Sequence, residues 1–347
     1  GEEFLTVKLY DTLRDHTPVA LFPREIDYTE WQTLRRYPIL NWNMGMTYRL
    51  RERDERVYPQ GELARRTIGQ VGDKGNYGVE YVLRDVLEGR DGKARRQRIA
   101  RGFYGRVVGG DNSEPEDGLD VVTTLDLEMQ DVADRALRRQ LEAQNALWGT
   151  ALVMEVATGD LLAMANLSRT KSGAYAEVKN HALSSRMEPG STFKLAALLA
   201  LVDDAGMSLD ETFDTGNGAR VKVGRTTVQD SHGLPPLNLK DAVAHSSNVF
   251  FARAVYETYK DDPERYVDYL RHLHLDRTVG LEEFGAVAPI FPAPGMKIWY
   301  PDVSIVNMGY GYAIELTPLH TLTLYNAVAN DGCMVAPRLV REIRRGG

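Results

Sequence analysis

The sequence predicts an α+β fold, a sheet packed against helices. Three observations carry that prediction. Residues 151–156 and 161–165 are apolar runs on either side of Ala157-Thr158-Gly159-Asp160, a strong hairpin signal. Residues 195–202 are eight consecutive apolar positions, mostly strong helix formers, and a helix that is apolar all round belongs in a core. Asp126 stands before a periodic stretch at 127–143, with apolar side chains at Met129, Val132, Ala133, Ala136 and Leu137, which supplies a capped, amphipathic helix.

Composition narrows the class. A chain of 347 residues has room for about two domains. Its 43% hydrophobic and 26% charged content is ordinary for a globular protein. A net charge of −7 argues against nucleic acid as a partner. The single cysteine, Cys333, excludes an internal disulfide and a cysteine metal site. His272 and His274 stand at i,i+2, a spacing for a strand face rather than a helical metal pair, so no metal or other cofactor is called for. The longest apolar run, 195–202, falls short of the roughly 18 residues a membrane span needs. No signal peptide is visible, and the chain opens at Gly1 in what reads as mid-domain sequence. The expectation is a trimmed chain from which an upstream membrane anchor is absent.

The first 117 residues are polar and carry little periodicity. Residues 29–36 read as a short helix capped by Thr29, 49–56 as a charged, solvated face, and 58–65 as a turn. A short amphipathic helix at 82–87 ends at Gly89, and 93–101, with five basic residues, reads as an exposed strand. Asp111-Asn112-Ser113-Glu114-Pro115-Glu116-Asp117-Gly118 is acidic and turn-rich, which places a domain boundary between 1–117 and 118–347. Beyond it, 119–125 is a strand, followed by the capped helix, the hairpin and the apolar helix, which Gly206 closes. Residues 213–228 read as a strand pair with turns at Gly216-Asn217-Gly218 and Gly224, and 230–236 as a loop. Asn238 caps a helix at 239–244. A last helix at 319–329 has Pro318 in its first turn and stops at Asn330-Asp331-Gly332, ahead of a strand at 334–343. There is no internal repeat.

The chemistry gathers at Glu188-Pro189-Gly190-Ser191-Thr192-Phe193-Lys194, immediately before the apolar helix. Three residues along a helix bring Ser191 and Lys194 onto one face. A serine hydroxyl becomes a nucleophile when a base takes its proton, and a lysine serves as that base once burial lowers its pKa. The helix dipole favours a developing alkoxide at Ser191. Taken alone, Ser191 is equally a helix N-cap. Ser168-Arg169-Thr170-Lys171 has the same spacing but lies in a polar stretch with no apolar helix behind it, and reads as a loop. Ser246 and Asn248, about 55 residues beyond Ser191, stand at the join of two helical stretches. A hydroxyl there can relay a proton and an amide can hold the base or the substrate, or both residues can simply cap helices.

Together with Gly309-Tyr310-Gly311-Tyr312, Thr317-Pro318, Thr123-Thr124-Leu125-Asp126 and Ala157-Thr158-Gly159-Asp160, these motifs resemble, in order and spacing, the class B penicillin-binding proteins, the monofunctional peptidoglycan transpeptidases. The resemblance covers about residues 57–343. It implies a transpeptidase domain with a mainly antiparallel sheet between helices, on an elongated N-terminal pedestal at 1–117. It implies that Ser191 attacks the D-Ala–D-Ala amide of a stem peptide with Lys194 as base, Ser246 as proton shuttle and Asn248 positioning lysine and substrate. Beta-lactams are then expected to acylate Ser191. Glu188 before Pro189-Gly190 is more like the septal, cell-division type than the elongation type. That implies a septal glycosyltransferase and divisome membrane proteins as partners, at the periplasmic face of the inner membrane.

One departure stands out. The family's third motif, Lys-Thr-Gly or a close variant, does not occur after Asn248. Lys171-Ser172-Gly173 and Lys222-Val223-Gly224 both precede Ser246 and are rejected. The expectation is a chain truncated before that motif, which in the family supplies a cation for the substrate carboxylate and one of two oxyanion-hole N–H groups, Ser191 supplying the other. Two other functions fit the same motifs: a serine D,D-carboxypeptidase or beta-lactamase, and a catalytically incomplete scaffold or beta-lactam-sensing module.

Overall fold

The computed structural model describes residues 56–345 except 73–74, 94–95, 101–102, 107–112 and 114–115, and, before them, 2–10, 18–20, 26–27, 30, 33–34, 36–37 and 46–53. Contacts divide the chain into two units, Gly1–Gly61 and Glu62–Gly347. In the first, the strand Glu2–Tyr10 pairs antiparallel with Pro18–Ala20, Ile26–Asp27 and Met46–Arg53, in register from Glu2 opposite Arg53 to Leu9 opposite Met46. Residues 49–53 of the charged stretch are thus strand. Half of the helix expected at 29–36 and half of the acidic stretch at 111–118 lie outside the described residues.

In the second unit, the hairpin is a ladder of Trp148–Met154 with Leu161–Arg169, Ala151 opposite Ala165, extended on one side by Tyr175–Ala176. Alternation of small and large apolar side chains leaves Leu161, Ala163, Met164, Ala165 and Leu167 wholly buried. The helix Leu127–Ala143 lies over this sheet. Asp126 caps it, accepting the Met129 N–H at 2.9 Å. Ala133 and Leu137 pack on Ala163, Ala165 and Ala151, and Leu141 packs on Leu167 and Tyr175. Gln130, buried on the same face, accepts the Met164 N–H at 2.7 Å and faces the Met164 carbonyl with its amide nitrogen at 3.3 Å. Its side chain stands in for a neighbouring strand, so burial leaves the Met164 backbone answered. Asp120–Thr123 pairs with Val340–Arg344. Asp160, in the hairpin turn, is 2% exposed and takes both Arg338 and Arg341.

The larger core lies around the apolar helix. That helix is composite: a 3-10 turn at Gly190–Phe193, an α segment at Lys194–Leu199 and a π turn at Ala200–Asp204. Phe193, Ala196, Ala197, Ala200 and Leu201 are buried against Phe250, Phe251 and Val255 of the helix Asn248–Tyr259 and against Tyr266, Val267 and Leu270 of the helix Pro263–His272. The π turn has an identifiable cause. The Tyr259 hydroxyl sits 2.8 Å from the Ala200 carbonyl and 2.9 Å from the Asp204 carboxylate. The Ala200 carbonyl therefore bonds a side chain as well as the Ala205 N–H five residues on.

Several expectations change. His272 and His274 do not share a strand face: His272 ends the helix Pro263–His272, and His274 lies in the left-handed region at φ 58°. Asp262 caps that helix and Pro263 opens it, while its apolar stripe of Tyr266, Val267 and Leu270 is masked in sequence by the charges between. The strand pair at 213–228 is two ladders. Val221–Val223 pairs with Thr226–Val228 around Gly224, whereas Thr212–Phe213 pairs with Leu237–Asn238. Ser168 is the penultimate residue of a strand, not a loop, and its hydroxyl lies 2.7 Å from His181 Nε2.

Candidate active site

Two segments meet at Lys194, and a third braces the turn that carries Ser191. The first is the 3-10 turn at Gly190–Phe193. In such a turn side chains three apart eclipse, so Ser191 stands over Lys194. Lys194 Nζ is 3.1 Å from Ser191 Oγ. Ser191 is exposed, while Lys194 is buried at 4% exposure beneath it.

The second segment is residues 246–248. Ser246 lies at φ 53°, a left-handed conformation costly for a residue with a side chain. There its backbone carbonyl and its hydroxyl both meet Lys194 Nζ, the hydroxyl at 2.9 Å. Ser247 caps the helix Asn248–Tyr259 by accepting the Phe250 N–H at 3.0 Å. Asn248, the first residue of that helix, accepts from Lys194 through Oδ1 at 2.7 Å. Capping and contact with the lysine are thus divided between neighbours: Ser247 caps, Ser246 and Asn248 face the amine. Beneath them the carboxylate of Asp230 accepts from Ser247 Oγ and from the backbone N–H groups of Asn248 and Val249.

The third segment is Gly309-Tyr310-Gly311-Tyr312. Gly190 donates its N–H to the Gly311 carbonyl at 2.9 Å. A Cβ on Gly311 would lie 1.8 Å from the Gly190 carbonyl oxygen, and Gly311 also has φ 93°, so only glycine fits. Glu188 Oε1 accepts the Ala313 N–H at 3.0 Å, and Met187 and Leu316 exchange backbone hydrogen bonds at 2.9 Å. The corner that presents Ser191 is thereby held backbone to backbone.

Burial pushes the Lys194 amine down to about 8, and the negative charge of Asp230 opposes that fall. Hydrogen counting accommodates the neutral amine. The Ser246 carbonyl and Asn248 Oδ1 only accept, so they claim two N–H bonds. A neutral amine has two, and its lone pair is then left to accept from the hydroxyl of Ser191 or Ser246. This is the geometry for removing a proton from a serine and for returning one to a leaving group.

The structure thus brings together all four residues the sequence singles out, Ser191, Lys194, Ser246 and Asn248. Of the rejected third-motif look-alikes, Lys171 opens an exposed turn and Lys222 is exposed on the strand Val221–Val223. Among the described residues no group of three or more His, Cys, Asp or Glu side chains is placed to hold a metal ion. Sequence reasoning missed Asp230, which lay in a stretch read as loop. Only its burial marks it, and burial is not visible in sequence.

A serine over a buried lysine, at the start of a helix buried among other helices, is the arrangement of a serine–lysine acyl-transfer site. Residues 149–345 match the family described as penicillin binding protein transpeptidase domain, and the chain belongs to that family. It is 30% identical over 305 residues to penicillin-binding protein PbpB of Mycobacterium tuberculosis, an alignment covering 83% of this chain and 43% of that protein. It is 27% identical over 292 residues to PenA of Neisseria meningitidis, whose name includes peptidoglycan D,D-transpeptidase, covering 81% and 48%. The crystal structure of penicillin binding protein 3 from Mycobacterium tuberculosis, complexed with aztreonam, superposes with a TM-score of 0.68 at 26% identity, covering 86% of this chain and 62% of that one. The relatives are class B penicillin-binding proteins, and the chain spans under half the length of the two curated ones named here.

Proposed function

We propose that this chain carries the acylation site of a peptidoglycan D,D-transpeptidase. The observation that carries the proposal is the Lys194 amine, buried and in reach of Ser191 Oγ, Ser246 Oγ and Asn248 Oδ1 at once. Ser191 Oγ gives its proton to neutral Lys194 and attacks the carbonyl carbon of the D-Ala–D-Ala amide. The C–N bond breaks, Ser246 relays the proton from Lys194 to the departing nitrogen, and D-alanine leaves an ester on Ser191. The amine of a second stem peptide attacks that ester, its proton returns through the same groups, and the cross-link forms as Ser191 regains its hydrogen. Asn248 keeps the amine in line and offers its amide N–H to the substrate backbone. A beta-lactam, whose ring amide takes the place of the scissile bond, acylates Ser191 and stays.

Residues 1–117 are proposed as the pedestal and 118–347 as the transpeptidase part. The proposed setting is the periplasmic face of the inner membrane, with a septal glycosyltransferase and divisome membrane proteins as partners. Supporting it are Glu188 ahead of Pro189-Gly190 and the match to class B relatives. Among the described residues no helix is long and apolar enough to cross a membrane.

Intact-mass spectrometry after incubation with benzylpenicillin tests the chemistry. The expected result is a stable adduct of one penicillin, mapped by peptide digestion to Ser191 and lost in Ser191→Ala. Rapid release of penicilloate would favour a beta-lactamase instead. No adduct, on this chain or on one extended beyond residue 347 to include a Lys-Thr-Gly strand, would overturn the transpeptidase proposal in favour of a scaffold.

A further inference from the structure

Asp230 is 6% exposed and follows the strand Thr226–Val228. Its Oδ2 accepts from Ser247 Oγ at 2.8 Å, and its Oδ1 accepts from the N–H groups of Asn248 and Val249, the latter at 3.2 Å. A buried carboxylate is unfavourable unless its charge is answered. Here the answer comes from the unpaired N–H groups and positive dipole end of the twelve-residue helix Asn248–Tyr259. The same helix end carries two of the groups that contact Lys194, so whatever holds it also sets where Ser246 and Asn248 stand.

We infer that Asp230 is a positioning residue for the lysine base: it clamps the start of this helix so that Ser246 and Asn248 stay on the Lys194 amine. This assignment rests on the Ser191 acyl-enzyme proposed above. The side chains in contact with Lys194 Nζ, those of Ser191 on its own turn and Ser246 and Asn248 on the facing segment, are uncharged at neutral pH. Burial lowers the proton affinity of the amine, and the charge of Asp230 opposes that fall. Without the carboxylate, the amine keeps the full effect of burial and releases its proton at lower pH. Without the clamp, Asn248 Oδ1 and Ser246 lose their register on Nζ.

The test is a pH titration of Lys194 by NMR on the chain labelled with 13Cε-lysine, the resonance being assigned by its disappearance in Lys194→Met. Wild type is compared with Asp230→Asn and with Asp230→Ser, a second neutral variant that leaves a hydroxyl acceptor at the helix end should the first fail to fold. Ser247→Ala removes two hydrogen bonds, the one to Asp230 and the cap to the Phe250 N–H, and keeps the charge. The expected result is a midpoint about one pH unit lower in the neutral variants and unmoved in Ser247→Ala. In parallel, the plateau rate of acylation by a fluorescent penicillin should fall about tenfold or more in the neutral variants. An unchanged midpoint with a lowered melting temperature would make Asp230 a structural cap and overturn the assignment. If neither wild type nor the extended chain forms a penicillin adduct, the acyl-enzyme proposal falls, while the NMR midpoints still decide what Asp230 does.

Discussion

Lys194 joins burial to chemistry at the scale of one residue. With its amine pushed down to about 8 by burial, the neutral base grows as pH rises. The rate of penicillin acylation is therefore expected to climb between pH 6 and 9, with its half-maximum near 8, and stopped-flow fluorescence across that range checks it. Lys194→Met should lower the plateau by about 100- to 10,000-fold, the usual contribution of a general base. The same shift has a stability sign. The unfolded lysine titrates near 10.4, so between pH 8 and about 10.4 the unfolded chain binds more protons than the folded one, and stability rises with pH across that window. Below pH 8 the cost of burying the ammonium is felt in full. Wild-type stability measured against Lys194→Met by urea denaturation should therefore improve from pH 7 to pH 10. His181 illustrates the opposite use of burial. Held between Ser168 and Ser185 and stacked on Trp148 at 4.2 Å, it is pushed down to about 4 and stays neutral, a structural polar link.

At the scale of elements, the turn that presents Ser191 is shaped from outside. Its 3-10 geometry aligns Ser191 with Lys194, and Gly311 allows its backbone to rest on Gly190. Gly311→Ala forces these backbones apart and imposes a left-handed conformation on alanine, with an expected loss of about 1–3 kcal/mol. The melting temperature should drop, and acylation should slow by more than the loss of folded protein explains, because the displaced segment is the one that carries the nucleophile. A substitution at an exposed glycine with nothing near it, Gly173→Ala, serves as the comparison for backbone strain alone.

Across the whole second unit, one side chain ties the segment after residue 62 to the sheet of Trp148–Met154 and Leu161–Arg169. Glu177 accepts the Arg66 N–H at 2.7 Å and the Asn166 N–H at 3.3 Å. Burial pushes its carboxyl up to about 7, the two N–H bonds opposing that rise. The folded chain thus binds more protons than the unfolded one between about 4.3, the ordinary glutamate value, and 7. The sign is opposite to that for Lys194: the stabilising contribution is complete below about 4.3 and is lost as pH rises through 7. Thermal denaturation of wild type and Glu177→Gln from pH 4.5 to 8 should show wild type losing ground to the variant as pH rises; parallel curves would mean that the carboxyl keeps an ordinary affinity for its proton.

What the sequence determined by itself is what neighbours within one turn or one hairpin encode. The cap at Asp126 and the helix Leu127–Ala143, the cap at Asn238 and the helix Leu239–Ala244, and the ladder of 148–154 with 161–169 follow from local hydrogen bonding and apolar period. So does the pairing of Ser191 with Lys194, three residues apart. The order and spacing of the motifs added the family, and with it Ser246 and Asn248. Tertiary structure alone decided what depends on a distant partner. Thr212–Phe213 chose Leu237–Asn238 instead of the nearer strand, Tyr259 turned the end of the apolar helix into a π turn, and Pro263–His272 became a helix because Tyr266, Val267 and Leu270 found a core to enter. Asp230 is the sharpest case: a loop aspartate by sequence, it becomes part of the site only because folding buries it under a helix N-terminus, where water no longer answers its charge and backbone N–H groups must.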